Sequence, residues 1–287
     1  MKNIIPLLAL FLIGCGDVSK PEDEVIYVSI APLKYVVEQI ADPGTRIEVL
    51  VPETTSPESY EPTVQQIKAL SNARAYISTG LIDFEQALSG KIRDIAPNTV
   101  LVDLSKDVDV LKGDCSHNDD DHSHGIDPHI WLSPEIVSGM GYQIAGLLAQ
   151  FQPDSASVYT ERADQFKGRV DSLDRYIRRA FSGAKRNDFA IGHTSLTYFA
   201  DDYGLNQIAI EVDGKEPSVK AMKLLVDSLQ NMGVKAVLFQ RQTSDAAART
   251  IARELPSGRA VEFDPLAPDW MNNMYRLTDS LQVILND

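Results

Sequence analysis

The sequence lacks the residues that define several classes of protein. It has only two cysteines among 287 residues, too few for a disulfide framework. Acidic residues outnumber basic ones by 41 to 27, and the net charge of −14 argues against nucleic acid as a partner. Beyond the N-terminus no apolar run approaches the ~20 residues of a transmembrane helix. His-Glu-x-x-His, Gly-x-Ser-x-Gly and Walker A motifs are also missing, so the common hydrolase and nucleotide-binding signatures are absent.

The N-terminus predicts export. A short basic start precedes the apolar run Ile4–Gly14, which is too short to span a bilayer, so residues 1–14 are predicted to be a secretory signal peptide. Leu12-Ile13-Gly14-Cys15 resembles a bacterial lipobox, where cleavage leaves a lipid-modified N-terminal cysteine. Residues 15–24 are polar, as a flexible tether would be. We expect an exported lipoprotein, anchored through Cys15 to a bacterial membrane and facing the periplasm or exterior; the alternative is an ordinary signal peptide with an incidental cysteine.

Short β-rich runs alternate with helical patterns in two groups, which is typical of βαβ units and mainly parallel sheets. Between the groups, apolar residues recur every three or four positions from Ser155 to Ser182 without an intervening proline, which predicts one long helix. We predict an α/β fold of two similar βα lobes, each with a mainly parallel four-stranded sheet, joined by a long rigid backbone helix. The predicted boundaries are 25–153 for the first lobe, 154–183 for the helix and 184–287 for the second lobe. The eight predicted strands are Val25–Ala31, Ile47–Val51, Ala75–Thr79, Thr99–Leu104, Phe189–Ile191, Gln207–Ile210, Ala236–Phe239 and Ala260–Phe263.

All five histidines fall in two places: four lie between residues 115 and 129, and the fifth is His193. The segment 115–125 is acidic and rich in histidine, and we interpret it as a surface loop. Imidazole and carboxylate groups crowded together suit divalent transition metals, so the loop is a candidate auxiliary site for weak metal capture. The alternative is a solvated acidic loop without a ligand. The auxiliary candidates are His117, His122, His124 and Cys115.

Four other residues are candidates for a tighter site. His193 and Asp264 each follow a predicted strand, and Glu58 lies in the loop after the second predicted strand. Open α/β sheets bind ligands outside the carboxyl ends of their strands, so these residues lie where a site is expected. His129 lies between apolar residues just before a predicted helix and could join them. Taken singly, His129 is better explained as a core histidine, and a strand-end carboxylate as a cap or turn former.

Several motifs surround these candidates in order along the chain. They are Ser56-Pro57-Glu58-Ser59-Tyr60-Glu61-Pro62-Thr63, the acidic His-rich insertion, Asp127-Pro128-His129-Ile130-Trp131-Leu132, the run from His193 to Leu205, Glu216-Pro217-Ser218 and Asp264-Pro265-Leu266. Together they resemble the solute-binding proteins of zinc and manganese ABC importers, from about Val25 to the C-terminus. The resemblance implies a metal between two lobes, four ligand positions that map onto Glu58, His129, His193 and Asp264, and no enzymatic activity.

Glu58 departs from the family pattern, since members usually have histidine at this position. Zinc binders of this kind typically use three histidines with a carboxylate or water, whereas manganese binders use two histidines and two carboxylates. His193, however, occupies a position where manganese binders generally have glutamate. The resemblance therefore favours Zn²⁺, with Mn²⁺ and Fe²⁺ as alternatives, and water is an alternative to Glu58 as a ligand.

We therefore predict a monomeric protein that binds zinc with high affinity outside the cytoplasm and delivers it to the membrane permease of an ABC importer. Because the ligands must be deprotonated, we expect the affinity to fall as the pH drops through the histidine range near 6.5. The alternative of another class is a secreted zinc-dependent hydrolase, and a third is an adhesin that binds metal. Glu211 and Glu216 either support the ligands from behind or are surface charge, and we favour surface charge.

Overall fold

The computed structural model describes residues 25–113, 125–211, 217–256 and 258–286. The predicted signal peptide and tether lie outside these ranges, and so do Cys15 and the auxiliary loop candidates Cys115, His117, His122 and His124. Within the described ranges, no helix has both the length and the apolar character needed to cross a membrane.

Each half of the chain forms a four-stranded parallel sheet. The first contains β1 (Ile26–Val28), β2 (Ile47–Val49), β3 (Ala75–Ser78) and β4 (Val100–Asp103), in the order β2-β1-β3-β4. The second contains β5 (Asp188–Ile191), β6 (Asn206–Ala209), β7 (Ala236–Gln240) and β8 (Arg259–Phe263), in the order β6-β5-β7-β8. Both sheets follow the same strand permutation. This confirms the predicted α/β fold of two similar lobes.

Helices connect and cover the strands. Those of the first lobe are α1 (Ala31–Ile40), α2 (Val64–Leu70), α3 (Asp83–Ile95) and α4 (Pro134–Phe151); α5 (Ala156–Phe181) follows, and the second lobe has α6 (Thr197–Tyr203), α7 (Val219–Asn231), α8 (Ala246–Glu254) and α9 (Trp270–Asn286). Thr63, Ser133 and Ser218 precede α2, α4 and α7, and each side-chain oxygen accepts a hydrogen bond from the third helical backbone N–H. Such caps fix where a helix starts.

The long helix α5 lies along both lobes. Its 26 residues extend about 39 Å at 1.5 Å per residue. It packs against α1 and α4 on one side and against α6 and α9 on the other. Its buried stripe is Tyr159, Ala163, Phe166, Val170, Leu173 and Ile177. These side chains belong to a hydrophobic core that runs from the first sheet through α5 to α9, so the lobes share buried apolar surface.

Two buried tryptophans tie the lobes together near the ends of the strands. The indole N–H of Trp131 donates to the carbonyl of Pro265 at 2.8 Å, and the indole N–H of Trp270 donates to the carbonyl of Trp131 at 2.7 Å. Trp131 follows His129 by two residues, and Pro265 directly follows Asp264. These two hydrogen bonds, together called the tryptophan clasp, therefore fix the backbone beside two of the predicted site residues, His129 and Asp264.

Candidate metal centre

Glu58 lies on a loop that is tied back to its own sheet. The loop follows β2, and its residues Pro57–Ser59 form a short 3-10 helix. The Tyr60 hydroxyl and the Gln66 amide both donate to the carbonyl of Leu50, at 2.9 and 3.0 Å. The Glu58 side chain remains 38% exposed. The loop therefore holds a solvent-accessible carboxylate at the carboxyl end of the first sheet.

His129 is buried, and its orientation is fixed by Asp127. One oxygen of Asp127 accepts a hydrogen bond from the backbone N–H of His129 at 2.7 Å and lies 2.8 Å from its Nδ1. Burial raises the pKa of the Asp127 carboxyl, but the charge and hydrogen bonds of His129 and the hydroxyl of Thr197 hold it below its usual value. The ionised carboxylate can only accept, so Nδ1 carries the hydrogen and Nε2 is free for a ligand.

His193 follows β5 and contacts two carboxylates. Its Nδ1 lies 3.1 Å from Glu211, and its Nε2 lies 2.9 Å from Oε1 of Glu58. The interpretation of Glu211 as surface charge is therefore wrong, because Glu211 orients a candidate ligand as Asp127 does for His129. Glu216 lies outside the described residues.

The three side chains converge on one point between the lobes. Oε1 of Glu58 lies 2.9 Å from Nε2 of His193 and 3.4 Å from Nε2 of His129. The two imidazole rings lie 5.6 Å apart at an angle of 67°. All three ligand atoms lie within 4.8 Å of one another, and no second group of this kind occurs within the described part of the chain. One metal ion placed among them could contact all three.

Asp264, the fourth predicted ligand, is not part of this group. One of its oxygens accepts hydrogen bonds from the Gln242 amide at 2.8 Å and the Leu266 backbone at 2.9 Å, and Arg241 donates to the other at 3.4 Å. The Gln242 amide also donates to the carbonyl of Glu53, at 2.7 Å, in the loop that carries Glu58. The structure thus brings together three of the four predicted ligands, and the role of Asp264 stays a prediction.

The carboxylates determine the charge of the centre. Burial lowers the pKa of His193, but its hydrogen bonds to Glu211 and Glu58 and their charges outweigh burial and raise it to about 10. Burial raises the pKa of Glu58, but the hydrogen bond of His193 and the charges of both histidines bring it below its usual value. Without a metal, His193 is therefore an imidazolium ion held between two carboxylates. A bound cation would replace its proton. The metal affinity should therefore depend on pH over a range well above the one near 6.5 that the sequence predicted.

The donor set suits a transition metal. Two imidazole nitrogens and one carboxylate oxygen are ligands that zinc accepts in tetrahedral sites, often with a fourth position for water or another group. Calcium and magnesium prefer sites built from oxygen alone. Each imidazole also has a carboxylate at its other nitrogen, as is usual for histidine ligands of metals.

Fold and site together define a class of protein: two-lobed α/β proteins with a candidate metal centre between their lobes. The chain belongs to the family of the periplasmic component A of zinc-uptake complexes, whose sequence profile matches residues 26–283. This is a family of solute-binding proteins for transport and not of enzymes, so the hydrolase alternative has no support.

Known relatives agree with this assignment. A crystal structure of ZnuA is 33% identical, covers 91% of this chain and 98% of its own, and superposes with a TM-score of 0.84. The zinc-binding lipoprotein AdcA of Streptococcus pneumoniae (strain ATCC BAA-255 / R6) is 26% identical over 93% of this chain and 55% of its own length. The high-affinity zinc uptake system protein ZnuA of Bacillus subtilis (strain 168) is 24% identical over 88% of this chain and 84% of its own. The chain thus spans about half the length of AdcA.

Proposed function

We propose that this protein binds a zinc ion with high affinity between its two lobes and delivers it to the permease of an ABC importer. The observation that carries the proposal is the convergence of Glu58, His129 and His193, with a carboxylate at the second nitrogen of each histidine. Zinc is the cargo here, held long enough for transfer. The names of the zinc-binding and zinc-uptake relatives support the same cargo.

The identity of the fourth ligand determines the relative affinity of the site for different metals. With Glu58 and both histidines alone, two nitrogens and one oxygen favour zinc. If Asp264 left Gln242 and joined them, the set would have two carboxylates, which shifts preference toward manganese or iron(II). We therefore propose Zn²⁺ as the main cargo and Mn²⁺ and Fe²⁺ as the alternatives, with Asp264 or water as the fourth ligand.

The location and partners of the protein are also part of the proposal. We propose that residues 1–14 direct export, that Cys15 carries the lipid, and that residues 15–24 tether the protein to a bacterial membrane, where it faces the periplasm or exterior. The lobes span 25–153 and 184–287, and residues 154–183 connect them. The segment 115–125 collects metal weakly through its cysteine and histidines, and the protein acts as a monomer.

Calorimetry on a chain with Cys15→Ser, stripped of metal, tests the proposal. Zinc, manganese and anaerobic iron(II) are titrated into the wild-type site, Glu58→Ala, His193→Ala and a form that lacks 115–125. Glu61→Ala is the matched control, because Glu61 is an exposed carboxylate of the same loop. We expect tight one-to-one zinc binding that survives loop deletion and Glu61→Ala, and that weakens at least about tenfold in the two ligand variants.

The other outcomes of this titration are equally informative. Tighter binding of manganese or iron(II) than of zinc would replace the proposed cargo. Absence of tight binding by any of the three metals would refute the transport function. In the cell, a strain that lacks the protein should grow poorly in zinc-limited medium and recover with the wild-type chain but not with His193→Ala.

A further inference from the structure

A chain of hydrogen bonds crosses from the second lobe to His129. The backbone N–H of Leu196 donates to the amide oxygen of Gln207 at 3.1 Å, and the amide nitrogen of Gln207 donates to the Thr197 hydroxyl at 2.6 Å. The Thr197 hydroxyl donates to one carboxylate oxygen of Asp127, and the other oxygen of Asp127 contacts His129. The first three residues belong to the second lobe, and the last two belong to the first.

The direction of every bond in this chain is determined. A backbone N–H can only donate, so the oxygen of the Gln207 amide must face Leu196 and its NH₂ must face Thr197. The Thr197 hydroxyl has a single hydrogen, which it can give to Asp127 while it accepts from Gln207. Asp127 accepts at both oxygens, at one from the Thr197 hydroxyl and at the other from the backbone N–H of His129. The hydrogen at His129 must therefore lie on Nδ1, and the lone pair on Nε2 faces the metal site.

A second residue of the second lobe, Tyr198, also holds the Asp127 backbone in place. The Tyr198 hydroxyl donates to the backbone carbonyl of Asp127 at 2.8 Å and accepts from the backbone of Leu111 at 3.2 Å. Asp127 is 3% exposed, so water cannot readily replace its partners. In a buried network, removal of one donor leaves the remaining groups unsatisfied and free to reorient.

On the basis of the proposed zinc binding, we infer that Thr197 and Gln207 are positioning residues for His129. The second lobe thereby sets the tautomer and ring orientation of a ligand that belongs to the first lobe. The centre reaches full affinity only when the lobes are docked against each other, although neither Thr197 nor Gln207 touches the metal.

Zinc affinity in four variants tests this inference. Thr197→Val keeps the shape of the side chain and removes the hydroxyl, Gln207→Met removes the amide that orients it, and Thr197→Ser restores a hydroxyl. The matched control is Thr278→Val, since Thr278 is a buried threonine of the second lobe that donates to the carbonyl of Met274 at 2.7 Å and not to Asp127. We expect affinities about 10–100-fold weaker for Thr197→Val and Gln207→Met, and within about threefold of wild type for Thr197→Ser and Thr278→Val.

Nuclear magnetic resonance gives a readout that does not depend on zinc. The chain has only five histidines, so selective ¹⁵N-histidine labelling gives a simple spectrum, and the His129 signals are those lost in His129→Gln. In the zinc-free wild type and Thr197→Ser we expect a hydrogen-bonded Nδ1–H that exchanges slowly with water. In Thr197→Val and Gln207→Met this proton should exchange faster and move upfield.

The outcomes separate this inference from the proposed function. If the wild type binds zinc and Thr197→Val binds it equally well, or if Thr278→Val loses as much affinity as Thr197→Val, the inference is wrong and the proposed function stands. If the wild type binds no zinc, the proposed function is wrong. The exchange rate of the His129 Nδ1–H then decides whether the chain of hydrogen bonds exists, and equal rates in wild type and Thr197→Val would overturn it.

Discussion

Zinc binding should release a proton over an unusually high pH range, because His193 is protonated in the metal-free protein. Its Nε2 is the atom that would contact the metal, and the same atom lies 2.9 Å from Glu58. Its Nδ1 lies 3.1 Å from Glu211, so both nitrogens carry hydrogens that face carboxylates. The metal must displace the hydrogen on Nε2 before it can bind.

The size of this effect follows from the pKa of His193, which its two carboxylate partners raise to about 10. At pH 7.5 only about one molecule in 300 then has a neutral His193. The apparent zinc affinity should be weaker than that of the deprotonated site by the same factor of about 300. It should rise about tenfold per pH unit between about pH 7 and 8.5.

Calorimetry in buffers of different ionisation enthalpy measures the proton directly. We expect about one proton released per zinc at pH 7.5 from this residue. In Glu211→Gln one of the carboxylates that raises the pKa is lost, so the rise in affinity should level off at a lower pH. Glu161→Gln makes the same change of charge at an exposed position on α5 and should behave as wild type. A flat affinity between pH 7 and 8.5, with no proton released, would refute the reasoning.

Three further predictions concern the same centre. Because the pKa of His193 is near 6.5 in the unfolded chain and about 10 in the folded zinc-free protein, its protonation stabilises the fold fully below pH 6.5. This stabilisation is lost as the pH rises through about 10. Without zinc, Tm should therefore fall between these pH values, whereas with zinc it should stay constant. Glu58→His replaces a carboxylate with an imidazole and should raise the ratio of zinc to manganese affinity, as competition titrations would show; an unchanged ratio would mean that Glu58 is not a ligand. Asp264→Asn should weaken zinc binding about tenfold if Asp264 is the fourth ligand, whereas unchanged affinity would leave that position to water.

The sequence predicted the fold well because its signals are local. All eight strands lie where alternation and turn residues placed them, although the four strands of the first lobe are shorter than expected, most of all the first. It was predicted over Val25–Ala31 and covers Ile26–Val28, because α1 already starts at Ala31 with Pro32 in its first turn. The long helix, expected from Ser155 to Ser182, covers Ala156–Phe181. A stripe of apolar residues identifies such a helix without any knowledge of its neighbours.

The contacts that orient the ligands could be predicted only in part. Asp127 precedes His129 by two residues, and an aspartate commonly accepts from the backbone two residues later, so this spacing was a usable signal. Thr197 contacts Asp127 across 70 residues of sequence, and Glu211 contacts His193 across 18. Their pairing depends on how the lobes dock and how β5 and β6 align, which no local pattern specifies. Asp264 illustrates the same limit, because its partners Arg241 and Gln242 lie on a neighbouring strand end.

The centre is asymmetric, and the asymmetry bears on how a bound ion would leave. The His129 side chain is 4% exposed, whereas that of His193 is 16% and that of Glu58 is 38% exposed. Water can therefore reach Glu58 first and His129 last. Because a continuous core and the tryptophan clasp join the lobes, ligand exchange at Glu58 needs less disruption of packing than separation of the lobes. Release of the ion should thus begin with dissociation of Glu58. His129, which Asp127 and Thr197 hold in place, should be the last ligand to dissociate.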